Sequence, residues 1–142
     1  MLMFAKTATR VEDHTDPDIN EQIRKQTERD IELFSKAGPE AIEMRLDQLD
    51  QEWDIERTLE TNAAGLSLLG LGLGTFVNKK WYALSAVVAG FLLQHGIQGW
   101  CPPVPVFRRL GIRTMSEIDY ERRMLMARRG DFAGMERTTD TG

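Results

Sequence analysis

The middle third of the chain constrains its fold most, because this region is almost free of charge. No Asp, Glu, Lys or Arg occurs between Glu60 and Lys79 or between Lys80 and Arg108. Each uncharged stretch contains a hydrophobic run of about bilayer length, which is roughly 20 residues at a rise of about 1.5 Å per residue. Only the polar segment 78–80 separates the two runs. The pattern predicts an all-α protein built on a two-helix transmembrane hairpin.

The two hydrophobic runs differ in character. The second, from Trp81 to Trp100, is bounded by tryptophans, whose amphipathic rings suit the headgroup levels of a bilayer. The first, from Thr61 to Val77, is shorter and rich in glycine, so we expect it to depend on the second helix for insertion. A soluble bundle with two buried helices is the alternative. We favour the membrane because buried helices of this length usually carry a charged face.

The flanks of the hairpin predict amphipathic helices before and after it. We expect three consecutive segments: an acidic cytoplasmic helical arm (1–58), the transmembrane hairpin (59–114), and a basic amphipathic helix with a disordered tail (115–142). The net charge of -4 is unevenly divided, because the first segment is acidic and the last is rich in arginine.

Start and stop signals predict the helices of the arm. Asp16 and Pro17 are suited to a helix N-terminus, and Gly38-Pro39 predicts a break. The next helix has apolar residues spaced alternately by four and three, at Ile42, Leu46, Leu49 and Trp53. This narrow seam fails at Glu56 and Glu60. We expect the helix to lie on the membrane surface or on a neighbouring helix, with a self-associating coiled coil as the alternative.

The prolines after the hairpin predict a different kind of backbone. Three of them fall within the segment 102–105, directly after Cys101, and we expect this segment to leave the hairpin in an extended conformation. A capping-box-like start at Ser116 predicts a further helix that ends at Gly130. Its arginines suit anionic headgroups or a solvated face.

The orientation follows from the lysines and arginines near the ends of the runs. The loop carries Lys79 and Lys80, whereas the flanks carry more basic residues: Arg45, Arg57, Arg108, Arg109 and Arg113. Two crossings place both termini on the same side of the membrane. We therefore expect both termini to be cytoplasmic.

Small residues follow one stripe of each hydrophobic run. At 100° per residue, the first run aligns Ala63, Ser67, Gly70 and Gly74, and the second run has small residues at Ser85, Ala86, Ala89 and Gly90. Helices in lipid associate through such close-packing surfaces. Gly65 and Gly72 form a second small patch on the first run, which suggests a homo-oligomer in addition to the hairpin contact.

Few side chains are suited to chemistry. His95, with Gln94 and Gln98, is a possible polar intramembrane site, because such residues are costly in a bilayer, although an interfacial or packing role is favoured. Cys101 is a possible thiol site or a small packing residue. The sequence contains no common hydrolase, nucleotide or metal motif. We expect no catalytic residue, metal or cofactor, and the sequence identifies no small-molecule substrate. The acidic arm argues against a nucleic-acid partner.

The segments Asn62–Gly65, Gly74–Asn78, Gly96–Pro102 and Arg109–Thr114 resemble the YgaP-type transmembrane domain, an inner-membrane helical hairpin of bacteria. The resemblance implies a hairpin that mediates dimerisation in the bacterial inner membrane. Fused members of that family carry a preceding rhodanese domain, and this chain has no cysteine before Cys101 to match its nucleophile. We therefore expect a non-enzymatic anchor, scaffold or accessory subunit, bound to the lipid bilayer as a dimer or within a larger membrane complex. The alternative is a sulfur-trafficking or thiol-carrier protein that uses Cys101.

Overall fold

The computed structural model describes residues 8–131, which form helices joined by short connections and contain no β-strand. The predicted all-α class is confirmed for this part of the chain. The α-helices are α1 (Arg10–Asp13), α2 (Pro17–Ala37), α3 (Pro39–Gln51), α4 (Ile55–Phe76), α5 (Tyr82–Gln98), α6 (Pro103–Arg109) and α7 (Met115–Arg129). A short 3₁₀ helix (Lys79–Trp81) lies between α4 and α5. The predicted disorder of the last residues lies outside the described range.

The helices belong to two compact units whose segments alternate along the chain. We call 8–20 with 53–114 the hairpin unit, and 21–52 with 115–131 the three-helix unit. The predicted hairpin segment 59–114 falls wholly within the hairpin unit. The predicted acidic arm is divided between the two units, because its helices pack with partners that are distant in sequence.

The three-helix unit contains most of α2, together with α3 and α7. Gly38, with a φ of 107°, separates α2 from α3, as the Gly-Pro break predicts. The core of the unit contains large apolar residues from all three helices, namely Ile31, Ile42, Leu49, Ile118 and Leu125. The apolar face of α7 is therefore buried inside the protein. Ser116 lies within the first turn of α7, one residue after the helix begins.

The seam predicted on α3 packs within the chain and ends earlier than expected. Ile42 and Leu49 are buried in the three-helix core, and Leu46 packs against it. The inclusion of Trp53 in the seam is wrong, because α3 ends at Gln51 and Glu52 is extended. The Trp53 side chain is exposed, and the Arg57 guanidinium lies 4.5 Å from the centroid of its ring.

The hairpin begins before the uncharged run. Helix α4 starts at Ile55, where the Asp54 carboxylate accepts a hydrogen bond of 3.1 Å from the amide of Arg57. This cap satisfies one of the amides that have no partner within the first helical turn. At the other end, the Asn78 side chain accepts a 3.0 Å bond from the amide of Lys80 and thereby fixes the turn into α5. The predicted loop 78–80 is thus a capped 3₁₀ turn.

The end of α5 differs from the sequence prediction. The helix covers Tyr82–Gln98 rather than the whole run from Trp81 to Trp100, because Gly99 adopts a left-handed φ of 75° and caps it. The extended segment predicted for 102–105 is wrong, since α6 begins at Pro103. The prolines occupy the first turn of this helix, where amides have no intrahelical acceptor and the fixed φ already suits a helix.

Within residues 8–131, no helix combines the length and the hydropathy expected of a membrane-crossing segment.

Candidate functional site

His95 lies at the centre of a polar cluster in the hairpin unit. Its side chain is almost fully buried on α5, and its Nε2 atom lies 2.8 Å from Oε2 of Glu56 in the first turn of α4. The other oxygen of Glu56 accepts a 3.1 Å hydrogen bond from Nη2 of Arg10 on α1. The three side chains therefore link α1, α4 and α5 through one carboxylate.

The antiparallel register of the hairpin explains why Glu56 meets His95. In the middle of the hairpin, the Ser85 hydroxyl donates a 2.8 Å bond to the carbonyl of Ser67. Glu56 lies eleven residues before Ser67, and His95 lies ten residues after Ser85, so both contacts belong to nearly the same register. Glu56 is absent from the site residues predicted from sequence. The signal for it was present, because a charged residue interrupts the apolar seam at this position.

The Glu56 carboxylate determines which ring nitrogen of His95 donates a hydrogen bond. The ring nitrogen that faces it acts as the donor, whereas Nδ1 of His95 is buried without a hydrogen-bond partner in the described chain. The hydrogen bond from His95 lowers the pKa of Glu56, burial opposes this effect, and Arg10 adds to the lowering. The ionised carboxylate is therefore the form that holds the cluster together.

The lowered pKa of Glu56 predicts a loss of stability in acid. A carboxylate whose folded pKa is depressed stabilises the fold above its unfolded pKa of about 4.3, and this contribution is lost as pH falls through the folded pKa. We expect Glu56→Gln to lower the free energy of unfolding at pH 7 and to reduce its decrease between pH 5 and pH 3. Denaturant titrations at each pH, followed by far-UV circular dichroism, measure both effects.

The matched control for this titration is Glu60→Gln, one turn further along α4 at an exposed position. It changes the same net charge without touching the cluster. A Glu60→Gln variant with the same flattened pH profile as Glu56→Gln would show that overall charge, rather than the bond to His95, causes the acid sensitivity.

Cys101 is close to this cluster but takes a different role in the packing. It is buried in the apolar core of the hairpin unit with Val11, Ile55, Leu59 and Val104. Burial raises the pKa of the thiol, a hydrogen bond from the Val104 amide opposes the rise, and the Glu56 charge adds to it. These effects disfavour the thiolate, which is the form that acts as a nucleophile or sulfur carrier. No bond joins the thiol to Nδ1 of His95.

The two glutamines predicted with His95 do not join its cluster. Gln98 is exposed, and its side-chain oxygen lies 3.5 Å from Nε2 of Gln94. His95 instead pairs with Glu56 from the other helix. The structure therefore separates the predicted polar group into a part-buried cluster, in which His95 contacts Glu56, and a more exposed amide pair of Gln94 and Gln98.

The predicted small stripe of α4 lies against α5 in the hairpin. Ala63, Gly70 and Gly74 are buried, Ser67 accepts the bond from Ser85, and Gly70 packs against the backbone of α5. The remaining small residues of the second run, Ala86, Ala89 and Gly90, are exposed. A Cβ atom added at Gly90 would meet nothing within 4 Å among the described residues.

The described residues contain no group of three or more His, Cys, Asp or Glu side chains placed to hold a metal ion. The cluster around His95 has only two such residues, His95 and Glu56, and the carboxylate is already engaged by Arg10. Its chemistry is that of a part-buried, charge-assisted link between helices.

Comparison with models of protein families gives no match, and no curated protein or solved structure is significantly similar to the chain. The resemblance to the YgaP-type hairpin remains a prediction from the residues that carry it.

Proposed function

We propose that this chain is an integral protein of the bacterial inner membrane that acts as a non-catalytic anchor, scaffold or accessory subunit. The observation that carries the proposal is the surface of the α4–α5 hairpin. Large apolar side chains are exposed around both helices, at Leu66, Leu68, Leu69, Leu71, Phe76, Val87, Phe91 and Leu93. An exposed apolar surface of this extent indicates an interaction with lipid or protein. No Asp, Glu, Lys or Arg occurs between Glu60 and Lys79 or between Lys80 and Arg108, and this absence of charge favours lipid.

Interfacial residues at both ends of α4 support this placement. Trp53 and Arg57 stack at its beginning, and Lys79, Trp81 and Tyr82 lie at the turn after its end. From Arg57 to Val77 the chain rises by roughly 30 Å, the thickness of a hydrocarbon core, and the exposed Glu60 lies within one turn of the Arg57 end. Aromatic and basic residues separated by this distance suit the two headgroup levels.

The second helix is shorter than the bilayer core. The 17 residues of α5 rise by about 25 Å, so a crossing requires a local adjustment of the bilayer. Short hydrophobic helices are accommodated by thinning of the bilayer and by lysine side chains that extend towards the headgroups. Lys79 and Lys80 are placed to do this at the turn.

Self-association is the second part of the proposal. The exposed small residues Ala86, Ala89 and Gly90 on α5 form a smooth surface, and Gly65 on α4 also has open space around it. Small residues allow the close backbone approach by which helices pair in lipid. A second copy of this hairpin would cover such a surface.

Membrane integration and topology are tested together. Alkaline carbonate washing should leave the protein in the membrane pellet. In a Cys101→Ala background, a cysteine at Asn78 should react with an impermeant thiol reagent in intact cells. A cysteine at the exposed Lys36 of α2 should react only after lysis, since we place both termini in the cytoplasm.

Each outcome of this test has a distinct meaning. Release by carbonate would contradict the proposed integral membrane protein. Retention with the reverse labelling pattern would keep the anchor and overturn the orientation. Purification in mild detergent would then show whether the hairpin carries a second copy or another membrane protein.

A further inference from the structure

One face of the short helix α6 is exposed although it carries large aliphatic side chains. Val106 on this helix is 57 % exposed, and Leu110, which follows the last turn with helical backbone angles, is 72 % exposed. The opposite face is fixed in the hairpin unit, because Val104 is buried in its apolar core and the Arg108 side chain is also buried. The face with Val106 and Leu110, which we call the outward face of α6, is therefore held in a definite orientation.

The outward face continues the apolar surface of the hairpin. At about 100° per residue, Val106 and Leu110 lie between Pro102 and Pro103 around the helix axis. Both prolines line an apolar groove between α4, α5 and α6. Phe91 of α5 lines the same groove and is exposed on the surface of the hairpin. The outward face is thus continuous with the surface that we propose faces lipid.

A cation lies at the edge of the outward face. Arg109 is separated from Val106 by about 60° around the axis, on the side away from Pro103. Its side chain is exposed and forms no ion pair with another residue in the range 8–131. Aliphatic side chains bordered by a guanidinium are typical of helices that lie in the interface of an anionic bilayer.

The level of α6 on the hairpin suits the headgroup region. Val104 packs in one cluster with Ile55 and Leu59, which lie in the first two turns of α4. The uncharged stretch of the chain begins just after them, at Thr61. The exposed ring of Trp53 precedes α4 at the same end. Helix α6 therefore lies where charged residues give way to the apolar part of the hairpin.

We propose that the outward face of α6 inserts into the headgroup–acyl boundary of an anionic bilayer, with Val106 and Leu110 among the acyl chains and Arg109 at a lipid phosphate. The inference rests on the proposed function, since the hairpin holds α6 at the bilayer. A protein partner suits this face less well, because a helix of seven residues is only about 10 Å long, whereas a stable protein interface buries about 800 Å² on each partner.

The test places a fluorescent label on α6 in vesicles. A single cysteine replaces Val106 in a Cys101→Ala background, and the labelled full chain is reconstituted into phosphatidylcholine with or without phosphatidylglycerol. Lipid that carries a nitroxide on its acyl chain should quench the label, whereas iodide on both sides of the bilayer should not. A label at Leu33→Cys, an exposed leucine of the three-helix unit, should show the opposite pattern.

Two variants of the chain labelled at position 106 separate the apolar contact from the charged one. Leu110→Gln should reduce the ratio of inserted to free label, obtained from fluorescence lifetimes, roughly tenfold, because one aliphatic side chain is lost from the acyl boundary. Arg109→Gln should remove a roughly fivefold preference for phosphatidylglycerol, the effect of one surface cation on an anionic bilayer. Both positions are exposed, so circular dichroism should show unchanged helix content.

Each variant has a matched control. Leu33→Gln makes the same substitution at an exposed leucine outside α6 and should leave the ratio unchanged. Lys80→Gln removes a cation at the opposite end of the hairpin and should leave the preference for phosphatidylglycerol unchanged.

The alternatives give different results. Quenching by iodide alone would show that α6 stays in water and would overturn the proposal. Protection from both quenchers would show that protein covers the outward face, a second copy if dilution with lipid restores quenching, and would also overturn it. Equal lipid quenching at positions 106 and 33, unaffected by Leu110→Gln, would show no specific contact of α6 and would have the same consequence. A carbonate-extractable protein whose label on α6 is still quenched by phosphatidylglycerol vesicles would contradict the proposed function and leave this contact intact.

Discussion

Gly70→Ala should destabilise the hairpin, although alanine is the better helix former. A Cβ atom at Gly70 would lie 3.0 Å from the amide nitrogen of Ser85 and 3.1 Å from the carbonyl oxygen of Trp81, and would overlap the Ser85 hydroxyl. Rotation of that hydroxyl would break its bond to Ser67, and the two backbone atoms would have to shift by a few tenths of an ångström. We expect a loss of about 1–3 kcal/mol in the free energy of unfolding, the cost of overpacking.

Gly72→Ala is the matched control on the same helix. Nothing lies within 4 Å of a Cβ atom at Gly72, so the variant keeps only the gain in helix propensity. It should stabilise α4 by about 0.5–1 kcal/mol. Helix content followed by circular dichroism during denaturation in detergent measures both changes. Equal effects of the two alanines would mean that Gly70 does not lie at the α4–α5 contact.

Gly74 gives a weaker test of the same contact. Its neighbour is the ring of Tyr82, which approaches to 2.6 Å from a Cβ atom at Gly74 but belongs to a side chain that can rotate. The backbone around Gly70 cannot yield in this way. We therefore expect Gly70→Ala to cost more than Gly74→Ala, with Gly70→Leu more severe than either.

Local sequence patterns predict where the helices of this chain begin and end better than they predict which helices pack together. The break at Gly38, the turn at Asn78 and the small stripe on α4 each depend on a few neighbouring residues, and the structure contains all three. The prediction of an extended segment at 102–105 was wrong because the effect of a proline depends on where a helix begins. In the first turn of α6 they occupy positions that cost no hydrogen bond.

The pair of Glu56 and His95 depends on information that a single sequence does not provide. The register of two antiparallel helices is fixed by where each helix ends and by which small residues meet. With the turn centred on residues 78–80, His95 would face the neighbourhood of Ala63, whereas the contact between Ser67 and Ser85 shifts its partner to Glu56. The alternation of the two units along the chain has the same origin, because core residues of α3 and α7 come from distant segments.

In the proposed membrane anchor, the cluster around Glu56 joins the two hairpin helices at the end away from the turn. Gly70 and Ser85 hold the two helices together in the middle, and Glu56 and His95 join them at the end away from the turn. Arg10 adds α1 to this end, where Trp53 and Arg57 also lie. A polar link of this kind is placed at the headgroup level in our proposal, where water and lipid phosphates reduce the cost of its charges.

Arg45→Met should produce the largest loss of stability in the three-helix unit. Arg45 on α3 donates to both carboxylate oxygens of Glu121 on α7, at 2.7 Å and 3.3 Å, and its Nη2 lies 3.4 Å from Asp30 on α2. Its guanidinium also lies over the ring of Phe34, 5.3 Å from the centroid. The Glu121 side chain is fully buried. Removing one partner of a buried pair typically costs about 3–5 kcal/mol, because the remaining charge is desolvated.

Arg24→Met is the matched control, since the same substitution removes a similar number of contacts at the surface. Arg24 pairs with Glu21 and Glu28 on α2, but all three side chains are about half exposed, so water replaces the lost bonds. Hydrogen exchange of the α3 and α7 amides, with denaturation followed by circular dichroism, should show faster exchange for Arg45→Met and little change for Arg24→Met. The loss of stability in Arg45→Lys should lie between those of the two methionine variants, because lysine keeps the charge but cannot make the bidentate contact with Glu121. Equal effects of Arg45→Met and Arg24→Met would show that burial of Glu121 does not set the strength of this link, and that the apolar core alone joins the three helices.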